Sequence, residues 1–155
     1  MRLRSFASAL GAAIIGLMIA GTAMPASAFE RTAYTNDLIQ QARTTGRPYI
    51  IFVHADWCVT CQAQDRVLET LVDDPRFADL LILTIDYDTK RNLMMIFNVG
   101  ERSTFIAFNG TTELGRSWAD TTPEGIEAFL TMTMAGSPNY VPGTMPPLPP
   151  AVPGA

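Results

Sequence analysis

Residues 49–61 read YIIFVHADWCVTC, and this stretch decides the fold. Its first five positions are apolar without interruption and rich in β-branched and aromatic side chains, which is typical of a central strand covered on both faces. A short turn follows, and beyond it apolar residues recur at helical spacing, so a helix is predicted to begin near Cys58. The stretch therefore predicts a strand–turn–helix unit that carries Cys58 and Cys61 at the start of the helix.

The chain has two cysteines, Cys58 and Cys61, and two residues separate them. A helix N-terminus presents free N–H groups and a partial positive charge, so it stabilises a thiolate in its first turn. A thiol with a pKa near 8.5 is only about 3% thiolate at pH 7, whereas a pKa of about 7 makes it half ionised. We therefore predict that Cys58 is the attacking sulfur and that Cys61, one turn later, displaces the mixed disulfide.

A cysteine pair could also hold a zinc ion or form a purely structural disulfide. Half of a zinc site would need further ligands, but no second pair exists and His54 is the only histidine. A structural disulfide across so short a loop would restrain little chain entropy. Redox chemistry is therefore favoured, without a cofactor or a resident metal. The alternative is a periplasmic chaperone that holds copper or zinc on the two thiolates.

The rest of the chain supplies the other elements of an α/β domain. Parallel strands joined through helices, together with one antiparallel hairpin, predict three layers around a central mixed sheet of about four strands. Residues 29–34 show no apolar pattern and are interpreted as a lead-in. Further helices are expected between Thr35 and Gly46, over 89–98 and after Thr122, and further strands over 81–85, 104–108 and 113–118.

The two ends of the chain are unlike the middle. Two arginines, an apolar stretch over residues 6–23 and the small-residue run that ends at Ala28 predict a secretory signal peptide over residues 1–28, cleaved after Ala28. An uncleaved membrane anchor is the alternative. Seven of the twenty residues in 136–155 are proline, which predicts a flexible tail beyond a folded domain over 29–135. The mature protein is thus expected in the periplasm.

The charge of the mature chain limits its partners. Without the two arginines of the signal peptide, nine of the 11 basic residues remain against 15 acidic ones, which gives a net charge of −6. An acidic protein without a basic run has no electrostatic footprint for nucleic acid or anionic membranes. We expect a monomer that binds neither.

Two motifs carry a resemblance to a known family. The run Ala-Asp-Trp-Cys-x-x-Cys that ends at Cys61 and the run STFIAFNG over residues 103–110 resemble the thioredoxin superfamily, and the match covers about residues 33–132. The first run is especially similar to the C-terminal periplasmic domain of the transmembrane thiol reductant conductor. The resemblance implies a thioredoxin-like fold and a disulfide reductase, oxidase or isomerase acting on protein thiols and disulfides. Similarity to a reductant-conducting domain favours a reductase supplied by a membrane thiol donor.

The resemblance also assigns substrate-binding residues and reveals a departure. Thioredoxins carry a cis-proline before the threonine that opens this strand, whereas Ser103 precedes Thr104 here. A cis bond before a non-proline residue costs about 3–4 kcal/mol, so either the fold enforces it or the loop is trans. The family's proline shapes the substrate groove, which places Ser103 and Thr104 there, with Trp57 as a flat apolar contact at the rim. Ser103 could instead hydrogen-bond a cysteine sulfur.

A second departure concerns the proton of Cys61. The family's buried aspartate falls at Phe52, which cannot take a proton. Asp65 lies four residues beyond Cys61 on the same helical face and matches an acidic position in the conductor's domain, so it is the candidate proton acceptor. The alternative is a solvated carboxylate paired with Arg66 or Arg43.

His54 is the third open position near the motif, at the end of the strand. A charge on its ring would tune the pKa of Cys58. The alternative is a packing residue whose ring nitrogens are satisfied. The sequence leaves both interpretations open.

Overall fold

The structure is a computed structural model that describes residues 29–136. The interpretations of residues 1–28 as a signal peptide and of the residues beyond Gly136 as a tail lie outside the described residues. No helix in the described part is long and apolar enough to cross a membrane. The strands are β1 Glu30–Ala33, β2 Pro48–His54, β3 Leu81–Asp86, β4 Thr104–Asn109 and β5 Thr112–Trp118. The helices are α1 Asn36–Thr45, α2 Val59–Leu71, α3 Arg91–Ile96 and α4 Pro123–Ala135, with a short 3₁₀ helix at Pro75–Phe77.

The five strands form one mixed sheet in the order β1-β3-β2-β4-β5. β3 pairs in parallel with β1 and with β2, while β4 runs antiparallel to both β2 and β5. The predicted three-layer α/β architecture with a mixed sheet is confirmed. Because β2 lies at the centre, the turn that follows it reaches the middle of one edge of the sheet.

The sheet has five strands rather than about four, because the lead-in forms β1. Its sequence, Glu-Arg-Thr-Ala, has no apolar alternation, and most of its side chains are exposed. An edge strand is held by backbone hydrogen bonds, which any side chain permits. Tyr34, just beyond the strand, donates its N–H to the Thr84 carbonyl at 2.9 Å. No side-chain pattern could therefore have indicated this strand.

Both faces of the sheet are covered, as the apolar run in β2 predicts. Ile50 and Phe52 pack into one core, which contains buried residues of α2 and α4 as well as both cysteines. Tyr49, Ile51 and Val53 pack into the other core with α1 and α3. The first core thus brings the cysteines under the central strand.

Local chemistry sets the helix ends. Thr35 caps α1 by accepting the N–H of Leu38 at 3.2 Å, and Gly46 ends that helix in the left-handed region. Helix α3 is shorter than the predicted 89–98. Asp86 accepts the N–H of Thr89 at 2.7 Å, which holds a turn before the helix. Asn98, with φ of +47°, ends the run.

Candidate active site

Cys58 is the N-cap of α2, and Cys61 lies in the first turn of the same helix. The Cys58 backbone is extended, and its N–H donates to the Ala55 carbonyl at 3.0 Å, which closes the turn after β2. The Cys58 sulfur accepts the N–H of Cys61 at 3.3 Å. Both residues are free thiols, and both are almost completely buried, with 3% and 0% of their surface exposed. The strand–turn–helix unit therefore places two reduced sulfurs at the helix N-terminus.

Ser103 joins the two sulfurs from the opposite side. Its Oγ lies 3.2 Å from Cys58 Sγ and 3.1 Å from Cys61 Sγ, both within hydrogen-bonding distance for sulfur. None of the described peptide bonds is cis, and Ser103 instead adopts a left-handed backbone with φ of +60°. Its N–H donates to the Val53 carbonyl at 2.8 Å, and its carbonyl accepts the Ala119 N–H at 2.9 Å. The loop is therefore trans, and its backbone bonds aim the hydroxyl at both sulfurs.

Gln64 connects this loop to helix α2, and it was not among the site residues predicted from the sequence. Its side chain is fully buried, and Nε2 donates to the carbonyls of Ser103 at 3.1 Å and Asp120 at 3.0 Å. Its Oε1 has no hydrogen-bond partner among the described residues. The available signal was a polar residue on the buried face of α2, where Cys61 and Leu68 also lie.

The two thiols differ in acidity. Burial raises the pKa of Cys58, but the hydrogen bonds from the Cys61 side chain, Ser103, the Cys61 N–H and Arg102 outweigh it and lower the pKa to about 6. Burial raises the pKa of Cys61, and the neighbouring Cys58 sulfur raises it further. At neutral pH the pair therefore holds one thiolate, on Cys58, and one thiol, on Cys61. Such a pair suits two successive nucleophilic attacks.

Arg102 and Trp57 form the rim above Cys58. The Arg102 guanidinium lies 4.8 Å from the centre of the Trp57 ring, in cation–π contact. Trp57 donates its Nε1–H to Asp88 at 2.7 Å and still leaves 57% of its surface exposed. Trp57 was predicted from the sequence as a substrate contact, whereas Arg102 was not predicted as a site residue. Its only sequence signal was its position next to Ser103.

Thr104, the other residue predicted in the substrate groove, is buried. Its hydroxyl donates to the Glu101 carbonyl at 2.8 Å. Thr104 pairs with Val53 of β2 and with Trp118 of β5. Its side chain therefore closes the loop that carries Ser103.

Asp65 and His54 form a second polar cluster, one helical turn along α2 from Cys61. His54 Nε2 lies 2.9 Å from Asp65 Oδ2, and the Asp65 carboxylate forms an ion pair with Arg31 of β1 at 2.8 Å. The Arg31 guanidinium also lies 5.1 Å from the centre of the Phe52 ring. The ion-pair partner of Asp65 is thus Arg31, and not Arg66 or Arg43, which the alternative interpretation of the sequence named. In the described part of the chain neither cysteine sulfur hydrogen-bonds with this cluster.

At the helix N-terminus the two sulfurs and the Ser103 hydroxyl lie within hydrogen-bonding distance of one another. Within residues 29–136 no three or more His, Cys, Asp or Glu side chains form a group that could hold a metal ion. The site thus offers one thiolate, one thiol and one hydroxyl in mutual contact. These groups can carry out thiol–disulfide exchange.

Comparison with known proteins agrees with this geometry. Residues 30–105 match a family described as thioredoxin-like. The crystal structure of Trxlp from Edwardsiella tarda is 32% identical, covers 66% of this chain and 99% of its own, and superposes with a TM-score of 0.64. Thioredoxins from Malassezia sympodialis and Fasciola hepatica, 18% and 19% identical, share the fold with TM-scores of 0.58 and 0.56. They cover 69% and 68% of this chain and 94% and 99% of their own. No curated protein sequence matches.

Proposed function

The chain belongs to the thioredoxin superfamily and is a thiol–disulfide oxidoreductase, and from this premise we propose that it is an exported disulfide reductase. The observation that carries the proposal is the unequal pair of buried sulfurs at the start of α2. A hydrogen-bonded thiolate on Cys58 is the nucleophile, and the protonated Cys61 is held in reserve. Protein disulfides are its substrates.

The reaction follows from the positions of the two sulfurs. The Cys58 thiolate attacks a substrate disulfide, so that a mixed disulfide forms and the first substrate thiolate leaves. Cys61 then loses its proton and attacks Cys58 Sγ. The second substrate thiol leaves, and two electrons have passed from the protein to the substrate. Trp57 offers the exposed apolar surface against which the substrate backbone lies, next to Ser103 and Thr104.

The acidity of Cys58 supports the reducing direction. Stabilising the thiolate stabilises the reduced protein, so a very low pKa makes a strong oxidant. The oxidant DsbA has a pKa of about 3.5 and thioredoxin about 7. Cys58, with a pKa of about 6, is nearer to the reducing end. Neither Val59 nor Thr60, between the cysteines, adds a positive charge that would stabilise the thiolate further.

Export supports a membrane protein as the source of electrons. The basic, apolar and small-residue segments of residues 1–28 are those of a signal peptide. A reductase in an oxidising compartment must be reduced again, and the periplasm has no reducing buffer of its own. We therefore propose a membrane thiol donor that reduces the Cys58–Cys61 disulfide. N-terminal sequencing of the protein from a periplasmic extract tests the export step, and it should begin at Phe29.

The deciding experiment is a redox titration of the purified mature protein against glutathione, followed by mass spectrometry. A reductase should give a potential of about −200 to −270 mV, whereas a value near −120 mV would make the protein an oxidant. Insulin reduction with dithiothreitol should depend on both cysteines. Metal bound stoichiometrically by the reduced protein without turnover would contradict the proposal and favour the metal chaperone.

A trap identifies the substrates in the same cells. Cys61→Ala should accumulate mixed disulfides on Cys58, because the resolving thiol is missing. The matched control carries Cys58→Ala as well and should capture nothing. Captured proteins that are oxidised in cells lacking this protein would be its substrates.

A further inference from the structure

One hydroxyl lies between the two sulfurs of the reactive pair. Ser103 Oγ is 3.2 Å from the sulfur that is a thiolate and 3.1 Å from the sulfur that is a thiol. A hydroxyl donates one hydrogen bond and accepts others at the same time. It can therefore donate to the Cys58 thiolate in the resting site, and accept the S–H of Cys61 once Cys58 is bonded to substrate and is no longer a thiolate. Proline, the family's residue at this position, has no group that could do either.

We propose that Ser103 is a catalytic residue that carries the proton of Cys61 to the sulfur leaving from Cys58. This inference rests on the proposed reductase function and adds a step to it. In the mixed disulfide the departing substrate sulfur is bonded to Cys58 Sγ, about 2.0 Å away from it. Displacement at a disulfide sulfur is in line, so the leaving sulfur lies on the side of Cys58 Sγ away from Cys61. It is then at most about 5 Å from Ser103 Oγ, a gap that one water molecule bridges.

The Cys61 proton passes to Ser103 Oγ while the hydroxyl proton of Ser103 passes to a bridging water, and that water gives one of its own protons to the leaving sulfur. The Cys61 sulfur attacks Cys58 Sγ, the bond between Cys58 and the substrate breaks, and the substrate departs as a neutral thiol. Ser103 is again a hydroxyl at the end, and the two electrons of the new Cys58–Cys61 bond come from the Cys61 thiolate. The bridging water is regenerated, and no oxidant or reductant besides the substrate disulfide is required.

The surroundings leave few other routes for this proton. Phe52 stands where the family has a buried aspartate and cannot accept it. Asp65 is occupied by His54 and Arg31, and among the described residues it makes no hydrogen bond to Cys61. The charged side chain that hydrogen-bonds to Cys58 is Arg102, whose guanidinium is always protonated and cannot accept the proton. Cys61 itself is fully buried, so bulk water has little access to it.

The backbone shows that the hydroxyl is held in place. A left-handed conformation is uncommon for a residue other than glycine and persists where the surroundings determine it. Here the Ser103 N–H is bound by Val53, and its carbonyl is bound by both Ala119 and Gln64. Gln64 is accordingly a positioning residue. The Oε1 atom of Gln64 has no hydrogen-bond partner among the described residues. The orientation of the Gln64 side chain is therefore set by the two carbonyls to which Nε2 donates.

Glycine and alanine at position 103 separate the hydroxyl from the backbone. Ser103→Gly removes the hydroxyl and suits a φ of +60°, so the variant should fold. Ser103→Ala removes the hydroxyl and keeps the same backbone restriction. Asn98→Gly is the matched control, because it changes a left-handed residue to glycine at an exposed helix end away from the sulfurs.

The experiment measures both steps by acid quench and mass spectrometry, at pH 8, where Cys58 with its pKa of about 6 is a thiolate. The probes are 2-hydroxyethyl disulfide, whose thiol leaves as a strong base, and dithionitrobenzoate, whose thiol leaves as a weak one. Both serine variants should resolve the mixed disulfide, once it has formed, about tenfold or more slowly than wild type with the alkyl probe, whatever the rate at which they form it. The loss should be smaller with the aromatic probe, because its leaving sulfur needs no proton.

Three results would overturn the relay. Resolution at the wild-type rate in both serine variants, equal slowing with both probes, or a defect confined to one of the two variants each excludes proton transfer by the hydroxyl. Wild-type protein that exchanges with neither probe would instead remove the exchange function on which the relay depends. Asn98→Gly should behave as wild type throughout.

Discussion

Two polar clusters flank helix α2, and they differ in charge and in what they contact. The first, here called the sulfur cluster, consists of Cys58, Cys61, Gln64 and Ser103. It is almost completely buried and has no formal charge apart from the thiolate. The second consists of Arg31, His54 and Asp65. The side chains of Arg31 and Asp65 are 29% and 23% exposed, and they form an ion pair. Among the described residues, neither sulfur hydrogen-bonds with a member of this second cluster.

The difference shows how this chain arranges its acid–base chemistry. A charged group next to a buried dithiol would have to be desolvated, which is unfavourable unless it is paired. The Ser103 hydroxyl and the Cys61 backbone N–H place hydrogen-bonding groups at the sulfurs without that penalty, and the charged Arg102 lies at the rim in contact with Trp57. The Asp65 carboxylate lies further out, where it is 23% exposed and paired with Arg31. The comparison is tested most directly by changing one cluster at a time.

The largest effect is expected from Ser103→Pro, which restores the family's residue. Proline fixes φ near −65°, whereas the loop holds +60° at this position, and proline would also remove the N–H bound to the Val53 carbonyl. We expect the free energy of unfolding to fall by about 3 kcal/mol or more. Urea unfolding measures it, with Ser103→Gly as the control that should lose less, because it removes the hydroxyl but keeps the backbone conformation and the N–H. A proline variant as stable and active as wild type would mean that the loop can change to the family's geometry freely.

A smaller effect is expected from Gln64→Met. The change leaves the Asp120 carbonyl without its side-chain donor and the Ser103 carbonyl with one donor fewer. Loss of these bonds should destabilise the protein by about 1–3 kcal/mol and slow the resolving step, because the hydroxyl is no longer held at both sulfurs. The control is Gln62→Met, two residues earlier at an exposed position, which loses one hydrogen bond to the Asp56 carbonyl at 2.6 Å and should cost about 1 kcal/mol or less. Equal effects of the two changes would show that Gln64 does not position Ser103.

The pH dependence of stability reports on the thiolate itself. Because the pKa of Cys58 is lowered to about 6 in the folded protein, its contribution is present above the unfolded pKa of about 8.5 and is lost as the pH falls through 6. Reduced wild type should therefore gain a few degrees in Tm from pH 6 to pH 8 relative to Cys58→Ser. Above about pH 8.5 the raised pKa of Cys61 acts in the opposite direction. An equal change of Tm with pH in the two proteins would contradict a stabilised thiolate.

The sequence predicted the sulfur cluster better than the charged one. Cys58 and Cys61 could be placed because the strand and helix around them are continuous in sequence and strongly patterned. The partner of Asp65 could not, because Arg31 belongs to a polar edge strand that leaves no apolar pattern. The role of Gln64 likewise depends on the Asp120 carbonyl, 56 residues away, which only the closed sheet brings near.

The smallest effect is expected from Asp65→Asn, and it decides between the two clusters as the route for the Cys61 proton. The sequence predicts Asp65 as the acceptor, whereas the structure binds its carboxylate to Arg31 and His54. Asparagine keeps the shape and removes the charge, so the loss of a partly exposed ion pair should cost about 1 kcal/mol or less. If Ser103 carries the proton, the resolving step with the alkyl probe should stay within about twofold of wild type. Asp56→Asn, a change at a fully exposed carboxylate 3.6 Å from the other ring nitrogen of His54, is the control. If Asp65→Asn slowed the resolving step about tenfold and Asp56→Asn did not, Asp65 and not Ser103 would be the acceptor of the Cys61 proton. Both changes remove a carboxylate near His54, so loss of the acceptor would explain the difference between them.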